Sequence, residues 1–471
     1  MTSVWGMKDV ILEIDRSRPV PITGQIAATL RSAILEGRLR PGARLPSWRD
    51  MAAQLGVARG TVRAAYDTLA DELLVVSAGA SGTRVAEQML TRAMAEVKIP
   101  PPLEGVLRGF SLKPLPFQIG VPAQDAFPAK LWSRLRTRAA RRDAMGPVGQ
   151  PDPRGRAELR AHIASMLAIT RSISCTPDQI ILTGGYKNGL CLTVLALEAV
   201  GRQAWHEDPG FPLARNGLLL AGVEVAPVPV DEQGIRVDLG MAVAPRARLA
   251  IVSPAVQAPT GVSLSPARRR DLLAWAERED AWIVEDDYLG GLQLSRRPAP
   301  ALAAQDRAGR VIHIGTFNKV LSPALGLGFV VAPLSLAARF AQVASLLNPA
   351  PNTTTQLALA DFLADGHFLR HLRQMRQLYL ERREALSAKL RQRLQVEVAA
   401  PLALVAPLPP EVDDVSLARR GVDLGIAPLP LSIWRHDRSA ARSGLLLGVT
   451  NVHEGNLNTA CEALFELVAG G

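Results

Sequence analysis

Residues 311–331, VIHIGTFNKVLSPALGLGFVV, read as a short apolar strand (Val311, Ile312, Ile314), a tight turn through Gly315, and a lysine presented at Lys319. A second apolar run, Leu325 to Val331, follows at once. A lysine between two apolar segments loses much of its hydration, which disfavours the ammonium form and leaves a nucleophilic amine. Amines of that kind form Schiff bases with aldehydes, pyridoxal phosphate (PLP) above all. Taken alone, the stretch also reads as a surface lysine in a loop.

Two upstream stretches turn the reading toward the first alternative. In AWIVEDDYLGG (281–291), the buried-strand run Ala281–Val284 delivers Glu285, Asp286, Asp287 and Tyr288 at its C-terminal end. Open α/β sheets bind ligands at that end, and a carboxylate there keeps a pyridine nitrogen protonated, as the PLP electron sink requires. A solvated acidic turn is the plainer alternative. In QIILTGGYKNGLCLTVLAL (179–197), a strand Gln179–Thr183 meets a Gly-Gly turn and an apolar helix, Leu190–Ala199, whose N-terminal N–H groups suit a phosphate. Strand and helix alternate around these motifs, with helices at Ala157–Ile169, Pro266–Glu279, Leu334–Leu347 and Thr355–Leu394. A strand at Gly444–Val449 and a helix to Val468 close the chain. The pattern is that of an α/β domain with a mostly parallel sheet and a small C-terminal α/β lobe.

The N-terminal region differs. Residues 1–18 carry no clear signal. Ile22, Ile26, Leu30, Ala33 and Ile34 recur at helical spacing from Pro21 to Glu36. After the turn RLRPGARLPS, Ser47 opens a second helix with Asp50 as its capping partner, and a third begins near Ala58 with Arg59, Thr61, Val62, Arg63 and Tyr66. This is a helix-turn-helix pattern, and LLVVSAGASGTRVAE reads as a two-stranded wing. Between Thr29 and Tyr66, Arg31, Arg38, Arg40, Arg44, Arg49, Arg59 and Arg63 face only Glu36 and Asp50. That surplus of five suits a phosphate backbone. The winged head spans 1–87, a proline-rich linker 88–116, and the large domain 117–471.

The chain has 471 residues, 48% of them apolar and 21% charged, with a net charge of +10. This composition suits a globular protein of two or three domains. It has no uninterrupted apolar run long enough for a membrane span and no signal-peptide pattern. Cys175, Cys191 and Cys461 lack metal-ligand spacing, so the expectation is a reduced, cytoplasmic protein without a metal site.

In the order TGGYK, HEDPGF, SPAVQAPTG, EDDY, GTFNKVLSPALGLG, with LRPGARLPSWRDMAAQLGVARGTVRAAYDTL before it, the sequence resembles the MocR-type transcription factors. These join a GntR-type winged head to a body similar to PLP-dependent aminotransferases of fold type I. The resemblance implies a homodimer that binds a double-stranded DNA operator through Ser47, Arg49, Arg59, Thr61 and Arg63. It implies PLP attached to Lys319, with Asp286 on the pyridine nitrogen, Tyr288 on the phenolic oxygen and Phe211 on the ring. Gly185, Tyr186, Lys187 and Thr316 would hold the phosphate, and Arg215 and Arg442 are the candidates for contacting a small-molecule amino effector.

Several positions depart from the family. Gly326 stands where an arginine usually pairs with the phosphate, Lys187 replaces a glutamine, Val256 a histidine, and Asn318 a serine. In the head, Leu73 replaces a usual glycine, and the wing reads Ser77-Ala78-Gly79-Ala80 with Arg84 beyond, so its DNA contacts are expected to be weaker or shifted. The strand Leu445-Leu446-Leu447 lacks the arginine with which aminotransferases grip a substrate carboxylate; Arg442 is the nearest. The expected function is therefore a regulator that senses an amino compound. The alternatives are a working aminotransferase with a DNA-binding head and a regulator whose body no longer binds PLP.

Overall fold

A computed structural model of the chain describes residues 3–7, 10–16, 20–77, 82–86, 114–146, 149–292, 294, 300–347, 351–438 and 442–470. The chain divides into two compact units, Met1–Phe110 and Ser111–Gly471, and each is described by itself. The expected linker at 88–116 and the wing tip at 78–81 lie wholly or almost wholly outside the described residues. Among the described residues no helix is long and apolar enough to cross a membrane, and no group of His, Cys, Asp and Glu is arranged to hold a metal.

The body is built on an eight-stranded sheet. Its strands run in the order Ile180–Thr183, Gly328–Val331, Val311–Thr316, Trp282–Asp287, Leu249–Val252, Gln203–Asp208, Glu224–Asp231 and Gly234–Ile235. Pairing is parallel from Val311–Thr316 to Glu224–Asp231, whereas Gly328–Val331 is antiparallel to both of its neighbours. The central strands are buried on both faces, which is why they read as continuous apolar runs. A four-stranded antiparallel sheet forms the small lobe, in the order Glu397–Ala400, Ala403–Pro407, Gly444–Gly448, Leu429–Pro430.

Three local expectations for the body need correction. Gly315 is not in a turn: it lies inside the strand Val311–Thr316, where the Phe329 ring occupies the space a Cβ would need, 2.2 Å from its Cζ. The chain turns later, after Thr316. The helix of the phosphate turn starts at Tyr186, not Leu190, because Gly185 at φ 124° lets the chain enter it directly from the strand. The long helix expected over Thr355–Leu394 is two helices, Thr353–Ala364 and His367–Leu390, separated at Asp365 and Gly366, the latter left-handed at φ 69°.

In the head, helices Ile22–Leu35, Trp48–Leu55 and Arg59–Asp71 enclose a core of Ile26, Leu30, Ile34, Met51, Leu55, Val62 and Leu69. Ser47 caps the second helix by accepting from the Asp50 N–H at 3.1 Å, and its hydroxyl donates to the Asp50 carboxylate at 2.6 Å. The Tyr66 hydroxyl donates to the Pro46 carbonyl at 3.0 Å, tying the third helix to the start of the second. Strands Val75–Ser77 and Thr83–Val85 pair as a wing, and Arg84 donates to the Gly42 carbonyl at 3.0 Å.

Residues 1–18 are not without structure: Ser3–Met7 and Val10–Ile14 form an antiparallel hairpin. Its alternate residues Val10, Leu12 and Ile14 are buried in the head core, each worth about 2 kcal/mol on apolar burial. Leu73 is left-handed at φ 58° and three-quarters exposed, so it bears the strain of that region and gains little packing. Leu73→Gly should therefore stabilise the head by about 0.5–1 kcal/mol, the usual scale for relieving such a position. Chemical denaturation followed in the head tests this, and an unchanged midpoint would show that Leu73 is unstrained.

Candidate functional site

Lys319 sits three residues past the end of a central strand, half-buried, with its Nζ 4.6 Å from the centre of the Tyr288 ring and 5.1 Å from that of Phe211. Burial pushes its pKa down, and the neighbouring Asp286 charge opposes this. Gly120 approaches from the other side: a Cβ there would lie 3.7 Å from the lysine Cε.

The acidic stretch is not a solvated turn. Glu285, Asp286 and Asp287 are all buried at the end of the strand Trp282–Asp287. Glu285 accepts from the Leu302 and Ala303 N–H groups at 2.6 and 3.0 Å and meets His313 Nδ1 at 3.0 Å. Burial alone would raise its pKa, but these partners hold it below the usual value. Asp287 accepts from Arg171 Nε at 2.7 Å in a fully buried pair. Asp286 is the exception: its Oδ1 is buried with no hydrogen-bond partner. Burial pushes its pKa up to about 7, Lys319 opposing and Asp287 adding to the shift. A buried carboxylate oxygen without a hydrogen-bond partner, near the half-buried Lys319, fits the pyridine nitrogen of PLP.

The turn proposed for the phosphate is closely fitted. A Cβ on Gly185 would fall 2.6 Å from Asn318 Nδ2 and 4.0 Å from Thr316 Oγ1, and one on Gly328 only 2.7 Å from the Gly185 Cα. The helix Tyr186–Ala196 has no side-chain cap, so its first N–H groups are left for another acceptor, as at helix N-termini that take anions. Asn318 staples the turn: its Nδ2 donates to the Gly184 carbonyl at 3.4 Å while its Oδ1 accepts from the Leu327 N–H at 3.0 Å. Lys187 is exposed on the first turn of that helix. Gly326 is left-handed at φ 56°, and a Cβ there would meet nothing within 4 Å, so room for a side chain exists but the backbone favours glycine.

Phe211 packs edge-on to Tyr186, ring centres 6.0 Å apart, and against Trp434 of the small lobe at 6.0 Å. Burial raises the pKa of both Tyr186 and Tyr288, with Asp286 adding to each, so both remain neutral hydroxyls. The two candidate effector arginines do not join this group. Arg215 donates to the carbonyls of Arg435 and Ile433 at 2.8 and 3.1 Å, holding the small-lobe turn in place. Arg442 has a side chain 75% exposed, and its contact is with Glu397 at 3.9 Å.

Sequence reasoning missed several members. Glu207 is buried, accepts from the Ser253 N–H at 3.2 Å, and is pushed by burial up to about 8. Gln257 donates to the Pro209 carbonyl at 2.7 Å. The polar residues of HEDPGF and SPAVQAPTG were the available signal. Arg171, Trp434 and Gly120 lie far from the motifs in sequence and gave none.

In the head, Ser47, Arg49, Arg59 and Arg63 are exposed and Thr61 half-buried, at the starts of the second and third helices. Arg49 lies over the Trp48 ring at 4.8 Å, and Arg63 is 3.9 Å from Asp67. The basic surplus is smaller than the sequence count suggests. Glu72, outside the counted span, pairs with Arg31 at 2.5 Å, and Glu36 pairs with Arg38 at 2.7 Å, so these two guanidiniums are occupied within the head.

Comparison with known proteins agrees with this division. Residues 22–85 match the family described as bacterial regulatory proteins, gntR family, and residues 120–424 match aminotransferase class I and II. The probable rhizopine catabolism regulatory protein MocR of Rhizobium meliloti is 36% identical over 461 residues, covering 94% of this chain and 92% of that protein. The HTH-type pyridoxine biosynthesis transcriptional regulator PdxR of Corynebacterium glutamicum is 34% identical, with 80% of each chain covered. Among solved structures, an archaeal alanine:glyoxylate aminotransferase shares the body's fold, with a TM-score of 0.69 at 21% identity over 78% of this chain and 94% of that one. The chain belongs to the MocR-type transcriptional regulators, a gntR-family head joined to an aminotransferase class I and II body.

Proposed function

We propose that this DNA-binding regulator acts as a homodimer whose body holds PLP at Lys319 and responds to a small amino compound. The observation that carries the reading is the unpaired, buried Asp286 Oδ1 beside the half-buried Lys319, in a chain that begins with a gntR-type head. When bound, PLP supplies an aldehyde that reacts reversibly with primary amines. Lys319 would hold the aldehyde carbon and Asp286 the ring nitrogen. Phe211 would face the ring, and Tyr288 would donate to the phenolic oxygen. Gly185, Tyr186, Thr316 and Lys187 would take the phosphate. Turnover would need a firm clamp on the substrate, and the exposed Arg442 and engaged Arg215 supply none, which favours sensing over catalysis.

Ser47, Arg49, Arg59, Thr61 and Arg63 would meet the operator, two heads addressing paired half-sites. Arg59→Ala should weaken operator binding by about 1–3 kcal/mol if it reads a base edge. Arg31→Ala, whose guanidinium is paired with Glu72, should change binding little. Electrophoretic mobility shifts at fixed salt measure both, and equal losses in the two variants would refute the assignment of this face.

Once free PLP is removed by gel filtration, Lys319→Ala should lack the visible band of protein-bound PLP while leaving operator binding intact. Borohydride reduction followed by peptide mass spectrometry locates the attachment, and a different modified lysine would overturn it.

Lys187 balances the phosphate in place of an arginine at 326. A cation in the first turn of a helix opposes the helix dipole unless an anion is also present. Lys187→Gln should weaken PLP binding by about 1–3 kcal/mol, the range for a charged hydrogen bond. Adding Gly326→Arg should restore part of it, the left-handed backbone at 326 costing about 1–2 kcal/mol for a non-glycine residue. Fluorescence titration decides this, and unchanged affinity in Lys187→Gln rules the idea out.

A further inference from the structure

The three leucines of the strand Gly444–Gly448 divide between its two faces. Leu445 and Leu447 pack into the small lobe's own core with Leu386, Leu390 and Leu464. Leu446, 2% exposed, faces the other way, into a cluster with Trp434, Ala403, Val405, Ile119 and Phe211. Phe211 is the residue whose ring lies 5.1 Å from Lys319 Nζ. The small-lobe wall on the side of the lysine is therefore apolar, and its central strand residue is a leucine.

Of the cations around this wall, two are engaged elsewhere and two are held out in water. Arg215 is held by the carbonyls of Ile433 and Arg435. Arg435 lies 3.6 Å from Asp208. Burial pushes His206 down to about 3, so it is neutral, and lowers the pKa of His436, whose Nε2 lies 3.3 Å from His206 Nδ1. Arg438 and Arg442 are exposed. A carboxylate brought against Leu446 would lose its water without gaining a counter-charge. One polar group does sit in the wall: Trp434 Nε1 is buried and has no hydrogen-bond partner. An indole N–H is a neutral donor, and leaving it buried and unpaired costs free energy that a ligand oxygen would recover.

We propose that the effector is a primary amine whose remainder is uncharged and carries a neutral oxygen acceptor, a hydroxyl, ether or carbonyl, rather than an amino acid. Leu446 excludes the carboxylate, and Trp434 reads the oxygen. The proposal rests on the reading of Lys319 as the amine-responsive PLP site.

The test uses the PLP-loaded full chain, with affinities from isothermal titration calorimetry and the shift in thermal midpoint as a second readout. Matched ligands are phenethylamine against phenylalanine and 5-aminopentanol against 5-aminopentanoate, with pentylamine as the reference lacking oxygen. In each pair the member without a carboxylate should bind at least about tenfold more tightly, the ratio equivalent to 1.4 kcal/mol. 5-Aminopentanol should also bind more tightly than pentylamine. Leu446→Arg should reverse the preference within the pairs. Trp434→Phe should remove the advantage of 5-aminopentanol over pentylamine and leave pentylamine unaffected. Equal or tighter binding of the carboxylated members by the wild type overturns the proposal, and that comparison decides even where Leu446→Arg fails to fold. If no amine of either kind binds while PLP does, the amine-sensing reading itself falls, and the specificity proposal with it.

Discussion

Three successive carboxylates buried at the end of one strand impose a constraint that the rest of the body is arranged to meet. Successive side chains of a strand point to opposite faces, so Glu285 and Asp287 share one face while Asp286 takes the other. On the first face the charges are matched individually. Glu285 is held by His313 and two backbone N–H groups, and Asp287 by Arg171, a residue at the end of a helix more than a hundred positions earlier. Removing one partner of such a buried pair leaves an uncompensated charge. The position of the helix Ala157–Arg171 is thus tied to the chemistry of a strand it does not follow in sequence. Asp286, on the other face, has Lys319 and Tyr186 for neighbours and one oxygen, Oδ1, without a hydrogen-bond partner.

The same end of the sheet is drawn together by missing side chains. Gly185, Gly328 and Gly315 lie where the Ile180–Thr183, Gly328–Val331 and Val311–Thr316 strands converge, and a Cβ on any of them would strike its neighbour. The antiparallel strand Gly328–Val331 lies between the two others and brings the phosphate turn onto the residues that precede Lys319. The Asn318 side chain then ties the two together, its amide donating to the Gly184 carbonyl and its Oδ1 accepting from the Leu327 N–H. Side-chain volume is excluded here, and the three strands close on one another backbone to backbone.

What the sequence disclosed depended on how local the cause was. Ser47 and its Asp50 partner, the strand before Lys319 and the buried run before Asp286 are set by neighbours within a few residues, and they were readable. The Val10–Ile14 strand was overlooked, although its alternation is clear, because five residues with a short partner carry little weight alone. Gly315 was misassigned because a glycine next to a functional lysine suggests a turn; the Phe329 ring that demands it lies on the adjacent strand. Arg31 and Arg38 were counted toward a DNA-binding field, but a charge count omits pairing, and Glu72 stood just outside the span considered. Arg215 and Trp434 owe their roles to a meeting of the large sheet with the small lobe, which no sequence window contains.

The segment Phe117–Gly120 has a place in the body out of proportion to its length. Phe117 is fully buried in the small lobe and bridges Gly448, and Gly120 lies against the Lys319 side chain. These are among the first described residues after the stretch that follows the head, and the three-residue path from one to the other spans at most about 10 Å. One short run of backbone thus pins the small lobe at one end and borders the Lys319 side chain at the other, so a displacement of either would reach the other through three peptide units.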